Sequence, residues 1–158
     1  MRFHLIDRID LLEPHRAVRA RKLTSHQEEY WRDEGRGPEM PRPLVLEALC
    51  QAGTWLIMGS TGLRRRAALL SADTVAFDGA VRPGDVLEVA GRVESFGADT
   101  AVLSGTVEVA GRTVLTAEAI MCALLPTEDL EDPAAVERMY ALLTRGARVA
   151  GPAAEAAA

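Results

Sequence analysis

Three polar residues with hydrogen-bonding side chains are spaced along one face of an otherwise apolar stretch. Glu47, Gln51 and Thr54 stand at positions i, i+4 and i+7, so in an α-helix all three point the same way. A carboxylate inside an apolar helix costs free energy unless it is paired or takes part in chemistry. Glu47 is therefore the first candidate functional residue.

The stretch that carries these residues, 40–58, is predicted to be one buried helix. Its apolar residues leave no wide polar face, which is typical of a helix surrounded by other elements. Pro43 suits the first helical position, where no backbone N–H is needed. Gly59, Gly62 and the basic run 64–66 are expected to end the helix, with the arginines interacting favourably with its dipole.

The rest of the pattern predicts an antiparallel sheet around this helix. Residues 2–12 could be a short strand or a helical turn, and 24–39 a long irregular connection. The expected fold class is α+β, an antiparallel sheet around one buried helix. Because one sheet cannot cover such a helix on all sides, a second copy is expected to complete the cover in a dimer. Alternation of apolar and polar residues predicts strands at 17–23, 67–77, 86–95, 101–109 and 113–124.

The chain is interpreted as one domain with a C-terminal addition. The domain itself is expected to span 1–126, followed by a helical extension over 127–146. Within that extension an Asp-Pro start at Asp132 leads into a helix that ends near Thr144. The low-complexity residues 147–158 are expected to be disordered.

Composition limits the classes of function. The formal net charge of −5 argues against a general nucleic-acid binder. The longest apolar run, 44–58, is interrupted by polar residues and is too short to cross a membrane, and the N-terminus lacks the apolar segment of a signal peptide. Cys50 and Cys122 are interpreted as buried free thiols of a cytoplasmic protein. No spacing of histidine and cysteine indicates a metal site.

Four motifs follow one another along the chain: LIDRI at 5–9, MPRPLVLEALCQA at 40–52, Phe77 with VRPGDVL at 81–87, and the strand pair 91–118. In this order they resemble the hot-dog-fold 3-hydroxyacyl-(acyl-carrier-protein) dehydratases of fatty-acid and polyketide synthesis. Segment 5–9 (LIDRI) is similar to the family's LLVDRV, and 40–52 (MPRPLVLEALCQA) to its MPGVLIVEALAQA. Phe77 with 81–87 (VRPGDVL) resembles its F…VxPGDxL, and 91–118 resembles its final strand pair ending in AE. Each motif alone is weak, but together they predict the hot-dog fold, an antiparallel sheet wrapped around one long buried helix.

The resemblance implies a β-hydroxyacyl thioester as the substrate. Dehydration needs a base for the C2 proton, an acid for the leaving hydroxyl, and N–H groups that polarise the thioester carbonyl. Glu47 corresponds to the acid, which in the family comes from the partner protomer. No cofactor is implied besides the phosphopantetheine arm that carries the substrate on an acyl carrier protein. The residues expected to contact substrate are Met40, Pro41, Arg42 (at the family's glycine position), Leu44 and Gln51.

The chain departs from the family where the catalytic histidine is expected. The family's base lies fourteen residues before the acid, and here that position is Asp33, or Glu34 if the alignment slips by one. An ordinary carboxylate, with a pKa of about 4, is a weaker base than histidine, with a pKa of about 6.5. Burial beside Glu47 could raise the pKa of one of the two carboxyls. Asp33 is therefore the candidate base, or else an ordinary turn aspartate.

Three functions remain open. The first is an active dehydratase that uses Glu47 with a carboxylate partner, as a homodimer. The second is a non-catalytic or half-site subunit that contributes Glu47 in a heterodimer, while a His-containing paralogue supplies the base. The third is a hot-dog acyl thioesterase, in which a carboxylate on or near the helix activates water.

A basic cluster is the candidate docking site for the carrier protein. Arg64, Arg65 and Arg66 follow the predicted helix, and an acyl carrier protein is strongly acidic, so the cluster could steer it toward the site. The alternative is a solvated cluster at the helix end with no partner.

Overall fold

The computed structural model describes residues 3–150. Nine strands, two α-helices and one short 3-10 helix lie in this range, and the helical extension contains both the 3-10 turn and the second helix. The elements are β1 (Arg8–Glu13), β2 (Ala17–Leu23), β3 (Arg32–Asp33), β4 (Pro38–Glu39), α1 (Arg42–Ser60), β5 (Arg65–Phe77), β6 (Val86–Phe96), β7 (Thr100–Val109), β8 (Arg112–Pro126), a 3-10 helix (Thr127–Asp129), α2 (Pro133–Leu143) and β9 (Arg148–Val149).

Seven strands form one sheet in the order β5-β8-β7-β6-β2-β1-β9. Neighbours are antiparallel except for β1 and β9, which are parallel. The predicted meander of the last three long strands is confirmed, because β6 pairs with β7 and β7 with β8. The predicted α+β class is confirmed as well.

Helix α1 packs across this sheet. Ala48, Leu49, Ala52 and Leu56 are buried against it. The approach is close: a Cβ on Gly105 would lie 2.3 Å from the Ala90 carbonyl oxygen and 2.6 Å from Leu49 Cδ1, so glycine is required at this position.

The other side of α1 is only partly covered by its own chain. Glu47, Gln51 and Thr54 on this side are half-buried, as are the apolar residues on its two flanks, Leu44, Leu46, Cys50 and Trp55. The helix is therefore less enclosed than its apolar pattern predicts. The expected second copy would cover this side, and the dimer stays a prediction.

The start of α1 differs from the prediction by two residues. The helix begins at Arg42, so Pro43 takes the second helical position and Pro41 is the N-cap. Met40 remains outside because its N–H donates to the Val81 carbonyl oxygen at 2.9 Å, which fixes it in an extended conformation. Proline is tolerated throughout the first turn, where backbone N–H groups have no helical acceptor.

Of the two alternatives for segment 2–12, the strand is confirmed, because β1 begins at Arg8. The C-terminus is more ordered than expected, and the predicted disordered tail is wrong for its first residues. Arg148–Val149 pairs with β1, and the Ala150 N–H donates to the Leu12 carbonyl oxygen at 3.0 Å. A sheet edge can recruit any extended segment that reaches it, and composition does not report this. Residues 151–158 of the predicted tail lie outside the described residues.

The connection before α1 is also more structured than predicted. Arg32–Asp33 and Pro38–Glu39 pair as a small two-stranded sheet, and the buried Tyr30 contacts the Trp31 ring at a centroid distance of 5.0 Å.

Within residues 3–150, neither helix is long and apolar enough to cross a membrane.

Candidate functional site

The start of α1 presents a backbone donor to solvent. Leu44 N–H donates to the Pro41 carbonyl oxygen at 2.9 Å, and Pro43 has no N–H. The Arg42 N–H donates to no acceptor among residues 3–150. A free N–H at the positive end of the helix dipole can polarise a carbonyl oxygen or bind an anion. Met40 is buried and Leu44 half-buried beside it.

Glu47 lies on the second turn of α1 and is held by Gln51. The Gln51 side-chain nitrogen Nε2 donates to Glu47 Oε1 at 2.9 Å. The same amide contacts the N-terminal strap, residues 3–5: Leu5 N–H donates to Gln51 Oε1 at 2.8 Å, and Gln51 Nε2 donates to the Phe3 carbonyl oxygen at 3.1 Å. Gln51 therefore orients Glu47 and anchors the strap, and it does not have its full hydrogen-bonding capacity free for substrate.

Asp33 is exposed, and its carboxylate is engaged within its own loop. Asp33 Oδ1 accepts hydrogen bonds from Gly35 N–H at 2.8 Å and from Gly37 N–H at 3.0 Å. Both glycines have positive φ, +93° and +87°, so the aspartate closes a turn that only glycines fit well. The role of Asp33 as a base stays a prediction, and in this chain it has the geometry of a turn aspartate. Glu34 is exposed beside it.

Arginines surround the entrance to α1. A cleft of about 460 Å³ is lined by Arg32, Arg36 and Arg42 together with Glu34 and Glu39.

A neighbouring cleft of about 380 Å³ adds Arg82. Its guanidinium donates to the Arg36 carbonyl oxygen at 2.8 Å and to Glu39 Oε1 at 3.1 Å. The Arg42 guanidinium carbon lies 5.7 Å from the centre of the Phe77 ring. Sequence reasoning missed Arg32, Arg36 and Arg82 as a group because they converge only when the loop folds against the VRPGD turn.

The predicted docking cluster lies at the opposite end of α1. Nineteen residues of helix separate the two ends, which is about 28 Å. Arg65 and Arg66 begin strand β5 and are half-buried. Arg66 forms an ion pair with Glu131, and Arg65 donates to the Leu124 carbonyl oxygen at 3.4 Å. The docking role of this cluster stays a prediction, and Arg64 alone of the three is exposed.

A second cavity follows Gln51 along α1. It measures about 140 Å³ and is lined by Gln51, Thr54 and Met58 from α1, by Met139 from α2, and by His4 from the strap. Sequence reasoning included Thr54 in the polar stripe of the helix but treated His4 as structural, and it did not predict a wall from α2. The aligned stripe of Gln51 and Thr54 was the available signal.

The two cysteines remain thiols in this structure. Burial raises the pKa of Cys50 to about 12, and the charge of the nearby Glu47 contributes to the rise. Burial also raises the pKa of Cys122. Neither thiol is therefore an activated nucleophile, which agrees with the interpretation as core residues.

Chemically, the entrance of α1 combines two elements needed for work on an acyl thioester. One is a free N–H that can donate a hydrogen bond to a carbonyl oxygen, and the other is a carboxylate fixed by a side-chain amide. A carboxyl group so placed can transfer a proton to or from a bound substrate. A histidine base is absent from the loop 31–39.

Comparison with known proteins identifies relatives of the whole domain. The family model of the FabA-like domain matches residues 1–118. A 3-hydroxyacyl-(acyl-carrier-protein) dehydratase FabZ of Xanthomonas campestris is 34% identical over 126 residues, which cover 77% of this chain and 82% of that protein. The corresponding Lactobacillus helveticus protein is 35% identical over 86 residues, and this match spans only 58% of its length and 53% of this chain.

Solved structures share the fold at lower identity. The dehydratase heterocomplex ApeI:P from Xenorhabdus doucetiae matches with a TM-score of 0.61 and 12% identity, covering 86% of this chain and 88% of that chain. A hypothetical thioesterase from Streptococcus pneumoniae, solved with coenzyme A, matches with a TM-score of 0.54 and 19% identity over 73% of this chain and 83% of that chain. The fold thus accommodates both chemistries and does not choose between them. The predicted hot-dog fold is confirmed, and the chain belongs to the FabA-like family of hot-dog dehydratases.

Proposed function

We propose that this chain takes part in the dehydration of 3-hydroxyacyl thioesters carried on an acyl carrier protein, in fatty-acid or polyketide synthesis. The observation that carries the proposal is Glu47, fixed by Gln51 on the second turn of a helix whose first N–H is free. Membership in the FabA-like family supports the same chemistry. The substrate arrives on the phosphopantetheine arm, and the proposal requires no other cofactor.

In the proposed reaction, a base removes the proton from C2 while the C3–O bond breaks. Glu47, in its protonated form, gives its proton to the departing hydroxyl, which leaves as water, and the C2–C3 double bond forms. The Arg42 N–H stabilises the negative charge that develops on the thioester oxygen. Gln51 keeps the Glu47 carboxyl in one orientation throughout, since its amide is itself fixed by the strap.

A half-site role is the second candidate, and the Asp33 loop favours it. The carboxylate at the position of the family's base, Asp33, already accepts hydrogen bonds from two backbone N–H groups of its own turn. A second chain with a histidine in this loop would complete the site in a heterodimer, with Glu47 as the contribution of this chain. The fold neighbour described as a dehydratase heterocomplex supports this arrangement.

The carrier protein is proposed to dock at the entrance of α1. Arg32, Arg36 and Arg42 line the cleft around the free helix N-terminus, and an acidic partner is attracted to such a group of cations. This replaces the cluster of Arg64, Arg65 and Arg66, because its member Arg66 is already paired with Glu131.

A dehydration assay tests the proposal and separates its two forms. The purified chain is incubated with 3-hydroxybutyryl carrier protein, alone and with a family member that has the loop histidine, and the 2-enoyl product is measured by mass spectrometry. Product from the chain alone supports the homodimer, and product only from the mixture supports the half-site form. No product in either case, or release of free carrier thiol instead, would contradict dehydration.

Asp33→His is the informative substitution in the same assay. If the rest of the site is complete, a histidine at this position should create or raise activity of the chain alone. Gly35 and Gly37 lose an acceptor in this variant, so Asp33→Asn, which retains a side-chain carbonyl acceptor, serves as the control for disturbance of the loop.

A further inference from the structure

The cavity of about 140 Å³ has a wall that the family match does not include. The matched domain ends at residue 118, whereas Ala135, Val136 and Met139 of α2 line the cavity. Helix α2 is held there by its buried residues Val136 and Leu143, and its Tyr140 ring lies 6.2 Å from the Trp55 ring, measured between centroids. The C-terminal extension therefore shapes a space beside the central helix.

This cavity begins where the candidate site ends. Gln51 contacts Glu47 and also lines the cavity. Thr54 and Met58 continue the lining along the same face of α1, and Met58 lies about 10 Å beyond Gln51 along the helix axis. A chain attached to a group bound at Glu47 would be led along this face toward α2.

The size and lining of the cavity describe what it can hold. An engineered protein cavity of about 150 Å³ binds benzene, so a space of this size takes about six carbon atoms. Trp55, Met58 and Met139 supply apolar surface, while His4 and Thr54 supply hydrogen-bonding groups.

Charge at the cavity is compensated. Arg66 and Glu131, which both line it, form an ion pair, so neither offers an uncompensated charge to a ligand. The lining thus suits a neutral polar group on an apolar chain.

We infer that this cavity is a length-limiting pocket for the distal end of the acyl chain, and that it selects a chain with a neutral hydrogen-bonding group, such as a hydroxyl, near that end. The inference rests on the proposed function, since it takes Glu47 as the place where the reacting end is held. Helix α2 is the wall that stops longer chains.

Binding to Trp55 tests this without any turnover. In a Trp31→Phe background Trp55 is the only tryptophan, and its fluorescence reports occupation of the cavity. The probes are acyl-pantetheine amides of four to twelve carbons, with and without a terminal hydroxyl. Affinity should rise about fourfold per methylene up to about eight carbons and then fall. The terminal hydroxyl should increase affinity by about two- to tenfold at the longest chain that fits.

Substitutions on α2 should move the length limit. Ala135→Leu fills the cavity and should shift the preferred chain to a length shorter by about two or three carbons, whereas Met139→Ala should lengthen it by a similar amount. Ala141→Leu, on the exposed side of the same helix, is the matched control and should leave the preference unchanged. Should Ala135→Leu fail to fold, Met139→Ala still decides the point.

Thr54→Val tests the polar selection separately. Valine has nearly the same shape but no hydroxyl, so the preference for the terminal hydroxyl should fall while plain probes bind as before. Binding that ignores chain length, or that is unaffected by Ala135→Leu and Met139→Ala, would overturn the inference, as would failure of every probe to quench Trp55. Loss of dehydration with length-dependent binding intact would instead refute the proposed function alone.

Discussion

The two ends of helix α1 carry the same residue type in opposite circumstances. At the start, Arg32, Arg36 and Arg42 are exposed around a cleft. Past the end, Arg66 is half-buried and paired with Glu131 from the extension that roofs a cavity. An arginine with a carboxylate partner in a packed setting serves the fold, whereas exposed arginines beside an open helix N-terminus are available to an incoming anion.

The helix dipole sharpens this contrast. Cations are favoured at a helix C-terminus and disfavoured at the N-terminus, by about 0.3–1 kcal/mol each. The first turn of α1 contains no acidic residue and does contain Arg42. The stack on Phe77 offsets part of this cost. The entrance of α1 is therefore not optimised for helix stability, which agrees with a binding role.

The largest expected effect is on the dehydration rate, from the substitution Glu47→Gln near the start of α1. Loss of a positioned acid should lower the dehydration rate by about 10²- to 10⁴-fold, measured on whichever assembly is active. Glu137→Gln, an exposed change on α2, should leave the rate unchanged. If the Glu47→Gln variant kept a rate within a few-fold of wild type, Glu47 would not be the catalytic acid, and the active site would have to lie elsewhere than on α1.

Gln51→Ala should be the most destabilising of these changes. It removes hydrogen bonds to Leu5, Phe3 and Glu47, each of which contributes about 0.5–1.5 kcal/mol, so the free energy of unfolding should fall by about 2 kcal/mol. Urea titration measures it, with the exposed Gln27→Ala as the control. Equal stability of the two variants would show that the strap is not held by Gln51.

Charge reversal at the entrance should weaken carrier binding. The double variant Arg32→Glu/Arg36→Glu should raise the KM for the carrier-bound substrate about tenfold at low salt, and the effect should shrink near 1 M salt, where the screening length is about 3 Å. Arg64→Glu, at the other end of α1, should change KM little. A larger effect from Arg64→Glu would return the docking site to the cluster predicted from the sequence.

The smallest effects come from one substitution at each end. Glu131→Gln should lower the free energy of unfolding by at most about 1 kcal/mol, because the ion pair with Arg66 is partly exposed. Arg42→Gln should leave it unchanged or raise it by about 0.5 kcal/mol, since a cation is removed from the helix N-terminus. Thermal unfolding of the two variants side by side measures the difference, and destabilisation by Arg42→Gln would count against the binding role of that arginine.

Much of the fold was predictable because its patterns are local. Period-two alternation placed β6, β7 and β8 within a few residues, and the apolar run with its prolines placed α1 to within two. The same sequence gave no signal for β9, since Arg148–Val149 is a strand only because the edge of β1 is open to it. The start of α1 at Arg42 was likewise missed, because it depends on the hydrogen bond from the Met40 N–H to the Val81 carbonyl oxygen.

Sequence by itself determined the family, the central helix and the position of Glu47 and Gln51 on one face, because helical spacing fixes which side chains align. Tertiary structure decided what those residues contact. It engaged Asp33 within its own turn, paired Arg66 with Glu131, gathered Arg32, Arg36 and Arg42 at the entrance, and set α2 over Thr54. The Arg66–Glu131 pair and the packing of α2 over Thr54 depend on residues far apart in the chain. The Asp33 turn and the group of arginines depend on how the connection before α1 folds, and only the folded backbone specifies either kind of contact.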